Sequence, residues 1–253
     1  MRIPTPNPLA PAAATLPMPP GDTPPPGAPQ PAPRPDLVRA EDDPRLQHLL
    51  ALATSQLPDT DPSHDLGHLA RVMASVRRLA PPAGADLRVA LPAALLHDLI
   101  NVPKHHPDRA AASTQSAAAA DALLAEAGYL PDERAGIRQA IIEHSFSKGL
   151  AASSPESAVL QDADRLDALG AIGIFRTVTC GARMGARYYA ATDPWAHTRA
   201  LDDRAHTLDH FEVKLLHLAA GFNTAAGRAE AEQRTAFMRA FLAQLRQEIS
   251  GQA

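Results

Sequence analysis

Cysteine is almost missing from this 253-residue chain, where Cys180 stands alone. A single thiol excludes an internal disulfide framework and any cysteine-rich zinc site, and makes the cytoplasm the natural compartment. Aromatics are sparse too, with three tyrosines and one tryptophan, and no base-stacking or base-edge pair can be assigned among them. No apolar run reaches the roughly 18 to 20 residues that span a bilayer, and the N-terminus lacks the basic start and apolar core of a signal peptide. Charge is nearly balanced at a net -4, which offers neither a nucleic-acid groove nor attraction to an anionic membrane. What the chain has in quantity is histidine, 11 residues, and proline, 25.

More than half of those prolines fall in residues 1–36, mixed with Ala, Thr and Gly and showing no apolar periodicity. Such a composition predicts a disordered or polyproline-like tail, an inert extension or a docking strip through Pro17–Pro20. From residue 37 onward the texture becomes rich in alanine and leucine at helical spacing, and the body reads as all-α. A first helix carries Leu46, Leu49, Leu50, Leu52 and Ala53. Asp61–Ser63 is a candidate cap for a second, on which His64, His68 and Val72 share one face. A third runs from about 86 to 98, a fourth from about 109 to 127 and a fifth from about 132 to 144. Gly170, Gly173, Gly181 and Gly185 suit close helix contact or looser turns. Two amphipathic helices, about 202–220 and 226–249, close the body, with Leu208, Phe211, Leu215, Leu218, Phe222, Phe237, Phe241 and Leu245 as their core stripe.

Two stretches resist explanation as packing alone. In Ala94–Asn101 a histidine and an aspartate, His97 and Asp98, follow one another at the end of an apolar run. There they need hydrogen bonds or a cation. Adjacent helical residues point about 100° apart, so both face one ion only at a helix end, which Pro103 supplies. In Val159–Gly170, Asp162, Asp164, Arg165 and Asp167 stand among buried-type leucines. Asp162 and Asp164 point apart on a helix, so one of them is the better ligand; Asp164 is preferred, with Asp162 as its rival.

His68, His97-Asp98 and a later aspartate at 164 stand in the order of the His…His-Asp…Asp signature, and the chain resembles the HD superfamily of metal-dependent phosphohydrolases. The likeness runs over roughly residues 40–250. It is nearest to small stand-alone bacterial HD proteins, which carry equivalents of His64–Val72, Leu95–Asp98, Pro103-Lys104, Asp162–Ala168 and Phe211–Leu216. The resemblance implies a single all-helical HD bundle over 37–253. It also implies one divalent cation on His68, His97, Asp98 and Asp164, with Mn preferred and Fe, Co, Ni, Zn or Mg as alternatives. Asp98 would also orient or deprotonate the attacking water. Lys104, Arg109, Lys148 and Arg165 are candidates to offset phosphate charge, Lys104 with a catalytic part. His144 would contact phosphate, protonate the leaving oxygen or hold a second metal, with phosphate contact preferred. The implied activity is hydrolysis of a phosphate ester or anhydride, in the manner of a nucleotidase or pyrophosphohydrolase. A metal- and nucleotide-binding sensor without turnover is the alternative. The expected partner is a small phosphate compound, a nucleotide first, bound by a monomer or homodimer.

Overall fold

The residue texture that reads as helical is helical. The computed structural model describes residues 36–57, 65–100, 111–145 and 148–251, and the expected N-terminal tail lies outside them. In chain order the helices are α1 (Pro44–Ala53), α2 (Leu66–Ala83), α3 (Leu87–Leu96), α4 (Ala112–Glu126) and α5 (Pro131–Glu143). They continue with α6 (Pro155–Leu166), α7 (Gly170–Arg183), α8 (Asp209–Val213), a 3-10 segment (Leu215–Gly221) and α9 (Ala225–Ser250). Among the described residues there is no strand, only one isolated bridge between Arg187 and His206. No described helix is long and apolar enough to cross a membrane.

The position of α3 follows from its sequence, LRVALPAALL, which is apolar on nearly every side. A helix of that kind is driven to the centre, and every residue from Ala90 to Leu96 is buried. It packs against α1, α2, α5 and α6, with a smaller contact to α4. Side-chain caps open several of the helices, α3 among them. Asp43 accepts from the Arg45 N–H at the start of α1, Asp86 from Arg88 at α3, and Ser154 from Ser157 at α6. At its far end α2 stops on Gly84, whose positive φ of 68° is open to glycine at little cost and closes a Schellman-type turn.

Four expectations need correction or completion. The cap of α2 is Asp65, whose carboxylate accepts from the His68 N–H at 2.8 Å; Asp61–Ser63 lie outside the described residues. The glycine-marked stretch after Gly170 forms a regular helix, α7, with Gly173 and Gly181 buried in it. The helix expected from 202 starts only at 209. Asp202 takes the Arg204 and Ala205 N–H groups, and Asp209 takes the Asp202 N–H and both terminal nitrogens of Arg199. Carboxylates that bind backbone donors compete with the helix for them. Finally, Phe237 and Phe241 are exposed, 52% and 37%. The buried line on α9 runs through Ala231, Thr235, Met238 and Leu242.

Candidate metal centre

Three helix ends and the first turn of a fourth helix supply the site. His68 lies in the opening turn of α2, where the Asp65 cap fixes the backbone, and its ring is fully buried. His97 is the C-cap of the central helix α3, with Asp98 next to it. His144 occupies the same station on α5, as C-cap after Glu143. Asp164 sits in the last turn of α6, and Asp167 is the C-cap of that helix.

The local folding of the two C-cap histidines is alike. The His97 ring turns back so that Nδ1 donates to the Ala94 carbonyl at 2.8 Å, and the His144 Nδ1 donates to the Ile141 carbonyl at 2.7 Å. In both cases the acceptor is the carbonyl three residues earlier, left without a helical partner at the helix end. His68 reaches the same state by another route, with Nδ1 2.8 Å from Asp167 Oδ2. A carbonyl accepts but cannot donate, so His97 and His144 carry a proton on Nδ1. His68 Nδ1 lies 3.2 Å from Arg176 Nη1 as well, but that nitrogen donates to Asp167 Oδ2 at the shorter 2.5 Å, which leaves the His68 Nδ1 proton for the same carboxylate; His68 and His97 then present a bare Nε2.

Those bare nitrogens converge. His68 Nε2 and His97 Nε2 are 3.4 Å apart, Asp164 Oδ1 is 3.6 Å from His68 Nε2, and Asp98 Oδ2 is 3.4 Å from His97 Nε2. Asp98 Oδ1 lies 3.6 Å from His144 Nε2. His68, His97 and Asp164 offer ligand atoms within 4.8 Å of one another, and His97, Asp98 and His144 form a second such set. Two lone pairs and two carboxylates face each other around imidazoles that are wholly buried, an arrangement that repels itself unless a cation lies between. The spacing fits one: nitrogens about 2.0–2.1 Å from a single ion stand roughly 2.9–3.4 Å apart, depending on the ligand angle.

The electrostatics agree with ligand duty. Burial holds the His97 imidazole below its ordinary pKa against the pull of Asp98. Burial would raise the Asp164 carboxyl, but His97, His68 and His144 together hold it below the usual carboxylate range. For His144 burial acts downward and is outweighed by the hydrogen bond and charge of Asp98, leaving that ring above its ordinary pKa.

Similarity to known proteins matches this geometry. The family model described as HD domain matches residues 65–169, a span that holds all of these side chains. The uncharacterized protein YpgQ of Bacillus subtilis is 33% identical over 201 residues, covering 78% of this chain and 90% of its own. The chain belongs to the HD superfamily. Among solved structures, YpgQ in complex with ADP superposes on this HD protein with a TM-score of 0.62 at 28% identity, over 83% of this chain and 100% of that one. A Bacillus thuringiensis protein described as an HD-superfamily hydrolase gives 0.63 at 29% identity, over 81% and 96%.

The remaining candidates of the HD protein are distributed unevenly. Lys104 and Arg109 lie outside the described residues. Lys148 donates to Thr114 Oγ1 at 2.7 Å on the surface. Arg165 points from α6 toward the Gly221 carbonyl, 2.7 Å, and Gln161 Oε1, 2.9 Å, so its two terminal nitrogens bind the scaffold. Asp162 faces away from the histidines altogether: it accepts from the Asn223 and Thr224 N–H groups and the Thr224 hydroxyl, at 2.7–2.8 Å. Two arginines belong to the neighbourhood although residue type alone did not single them out. Arg71 and Arg176 both bind Asp167; Arg71 was findable, being three residues from His68 on one helix face.

Proposed function

We propose that this HD protein hydrolyses a phosphate ester or anhydride of a nucleotide, as a nucleotidase or pyrophosphohydrolase, with one divalent cation, Mn first, held by His68, His97, Asp98 and Asp164. The observation that carries this reading is the pair of buried Nε2 atoms 3.4 Å apart, each on a ring whose opposite nitrogen lies against an acceptor that favours the proton there. The mixed nitrogen and oxygen donor set suits Mn, Fe, Co, Ni or Zn better than Mg. When bound, such an ion withdraws charge from a phosphoryl group and acidifies water.

The chain's own groups do the rest. Asp98, 20% exposed, reaches solvent from the edge of the site and orients water or takes its proton. His144, kept above its ordinary pKa by Asp98, contacts the phosphate or protonates the leaving oxygen from Nε2. Lys104, Arg109, Lys148 and Arg165 are the cations available to offset charge on phosphate, Lys148 and Arg165 after letting go of their present acceptors. The nucleotide assignment takes its support from ADP in the YpgQ crystal. In this reading residues 37–253 carry the chemistry in the cytoplasm, and residues 1–36 are an appendage.

The test is metal analysis beside a phosphate and pyrophosphate release screen on the Mn-loaded protein, across nucleoside mono-, di- and triphosphates. Asp98→Ala is expected to lose both ion and turnover, by on the order of 100-fold or more. Turnover that survives in the ion-free variant overturns the reading. So does a loaded wild-type protein inert on the whole panel, which would make it a binding protein.

A further inference from the structure

The three imidazoles at the site are secured in two different ways. His97 and His144 lean on carbonyls of their own helices, acceptors that no side-chain substitution can remove. His68, in the first turn of α2, has no helical carbonyl behind it, and its Nδ1 is met instead by the side chain of Asp167 at 2.8 Å, with Arg176 Nη1 farther off at 3.2 Å. That carboxylate is itself held from two sides. Arg71 on α2 donates from Nε to Oδ1 at 2.6 Å and from Nη2 to Oδ2 at 2.9 Å, and Arg176 on α7 donates from Nη1 to Oδ2 at 2.5 Å. With both oxygens taken, Asp167 is not a rival ligand, although it is only 2% exposed and sits one helical turn from Asp164.

We propose that Asp167 is a positioning residue of the cation site: braced by Arg71 and Arg176, it keeps the proton of His68 on Nδ1 and the bare Nε2 aimed at the ion. This rests on the reading of His68 as a ligand. A carboxylate acceptor fixes the ring and makes its far nitrogen a stronger donor to metal than a carbonyl does, and loss of such a partner costs about 10–100-fold in metal affinity. The two guanidinium groups occupy both carboxylate oxygens and pin its rotation, so the brace spans α2, the end of α6 and α7.

The test uses the full chain with Mn²⁺ alone, titrated by calorimetry, together with nitrogen-15 spectra of the histidine rings in the metal-free protein. In the wild type the His68 ring is expected to show Nδ1 protonated, its proton shifted far downfield by the carboxylate; an Nε2-protonated ring overturns the proposal without any mutant. Asp167→Asn keeps the shape and is expected to weaken Mn²⁺ binding by about 10–100-fold while the spectra of His97 and His144 stay in place. Arg176→Gln, which leaves Asp167 itself, should weaken binding by less. Wild-type affinity in folded Asp167→Asn overturns the positioning role. The two readings fail separately: unchanged binding in His68→Ala removes the ligand, whereas loss in His68→Ala with none in Asp167→Asn removes only the brace.

Discussion

The two sides of α6 treat their carboxylates differently. On the side toward α9, Asp162 is wholly buried and saturated, capping the turn before α9 with four donors from Asn223 and Thr224. On the side toward α2, the Asp164 side chain is 26% exposed and its Oδ1 lies 3.6 Å from His68 Nε2. Among the described residues no hydrogen-bond donor is directed at its carboxylate. The same residue type, two positions apart, is in one place a finished structural joint and in the other an unfinished one. Saturation with donors marks a carboxylate that holds the fold together. A buried site that brings a carboxylate to lone pairs marks one reserved for a cation.

That contrast can be broken by substitution. The largest effect is expected for Asp164→Ala, which should reduce Mn²⁺ binding and phosphate release by on the order of 100-fold or more while leaving urea stability of the metal-free protein unchanged. Asp162→Ala should do the reverse. Removing the carboxylate strands buried donors, at about 2–4 kcal/mol in urea unfolding, while the folded fraction binds Mn²⁺ within threefold of wild type. If Asp162→Ala instead abolished binding at full stability, the roles assigned to the two aspartates would have to be exchanged. The finest probe is Gly227→Ala. An added Cβ would stand 2.5 Å from Asp162 Oδ2 and 2.7 Å from Thr224 Oγ1, so the usual gain of up to about 1 kcal/mol for alanine in a helix should turn into a loss of about 1–3 kcal/mol from overpacking.

Most residues of the candidate site stand out without coordinates because their chemistry conflicts with their surroundings. His97-Asp98 at the end of an apolar run, and Asp164 among leucines, are costly unless satisfied, and that cost is visible in the residue order. The same reasoning left Asp162 as a rival to Asp164 and gave no role to Asp167, since all three are acids in one apolar stretch and only their partners differ. Those partners, Thr224 for Asp162 and Arg71 and Arg176 for Asp167, are either remote in sequence or unremarkable by type. Two helices were legible within a few residues, α2 from its apolar period and α3 from its nearly continuous apolar run. The segment 202–208 was not: its apolar spacing suits a helix, but Asp202 and Asp209 withdraw the backbone donors that a helix would use. On α9 the phenylalanines outweigh their neighbours in hydrophobicity, yet Thr235, Met238 and Leu242 occupy the inward positions and Phe237 and Phe241 are left outside.

The matching ends of α3 and α5 have a consequence for the order of events. A helix terminates in partial negative charge, and here two such ends, with that of α6 close by, converge on one spot opposed by a single helix start at α2. The scaffold's own field therefore welcomes a positive ion and repels an anion. If the cradle takes a cation and a phosphate group as proposed, the phosphate meets this repulsion together with Asp98 and Asp164 until the cation is in place, which favours loading the cation first.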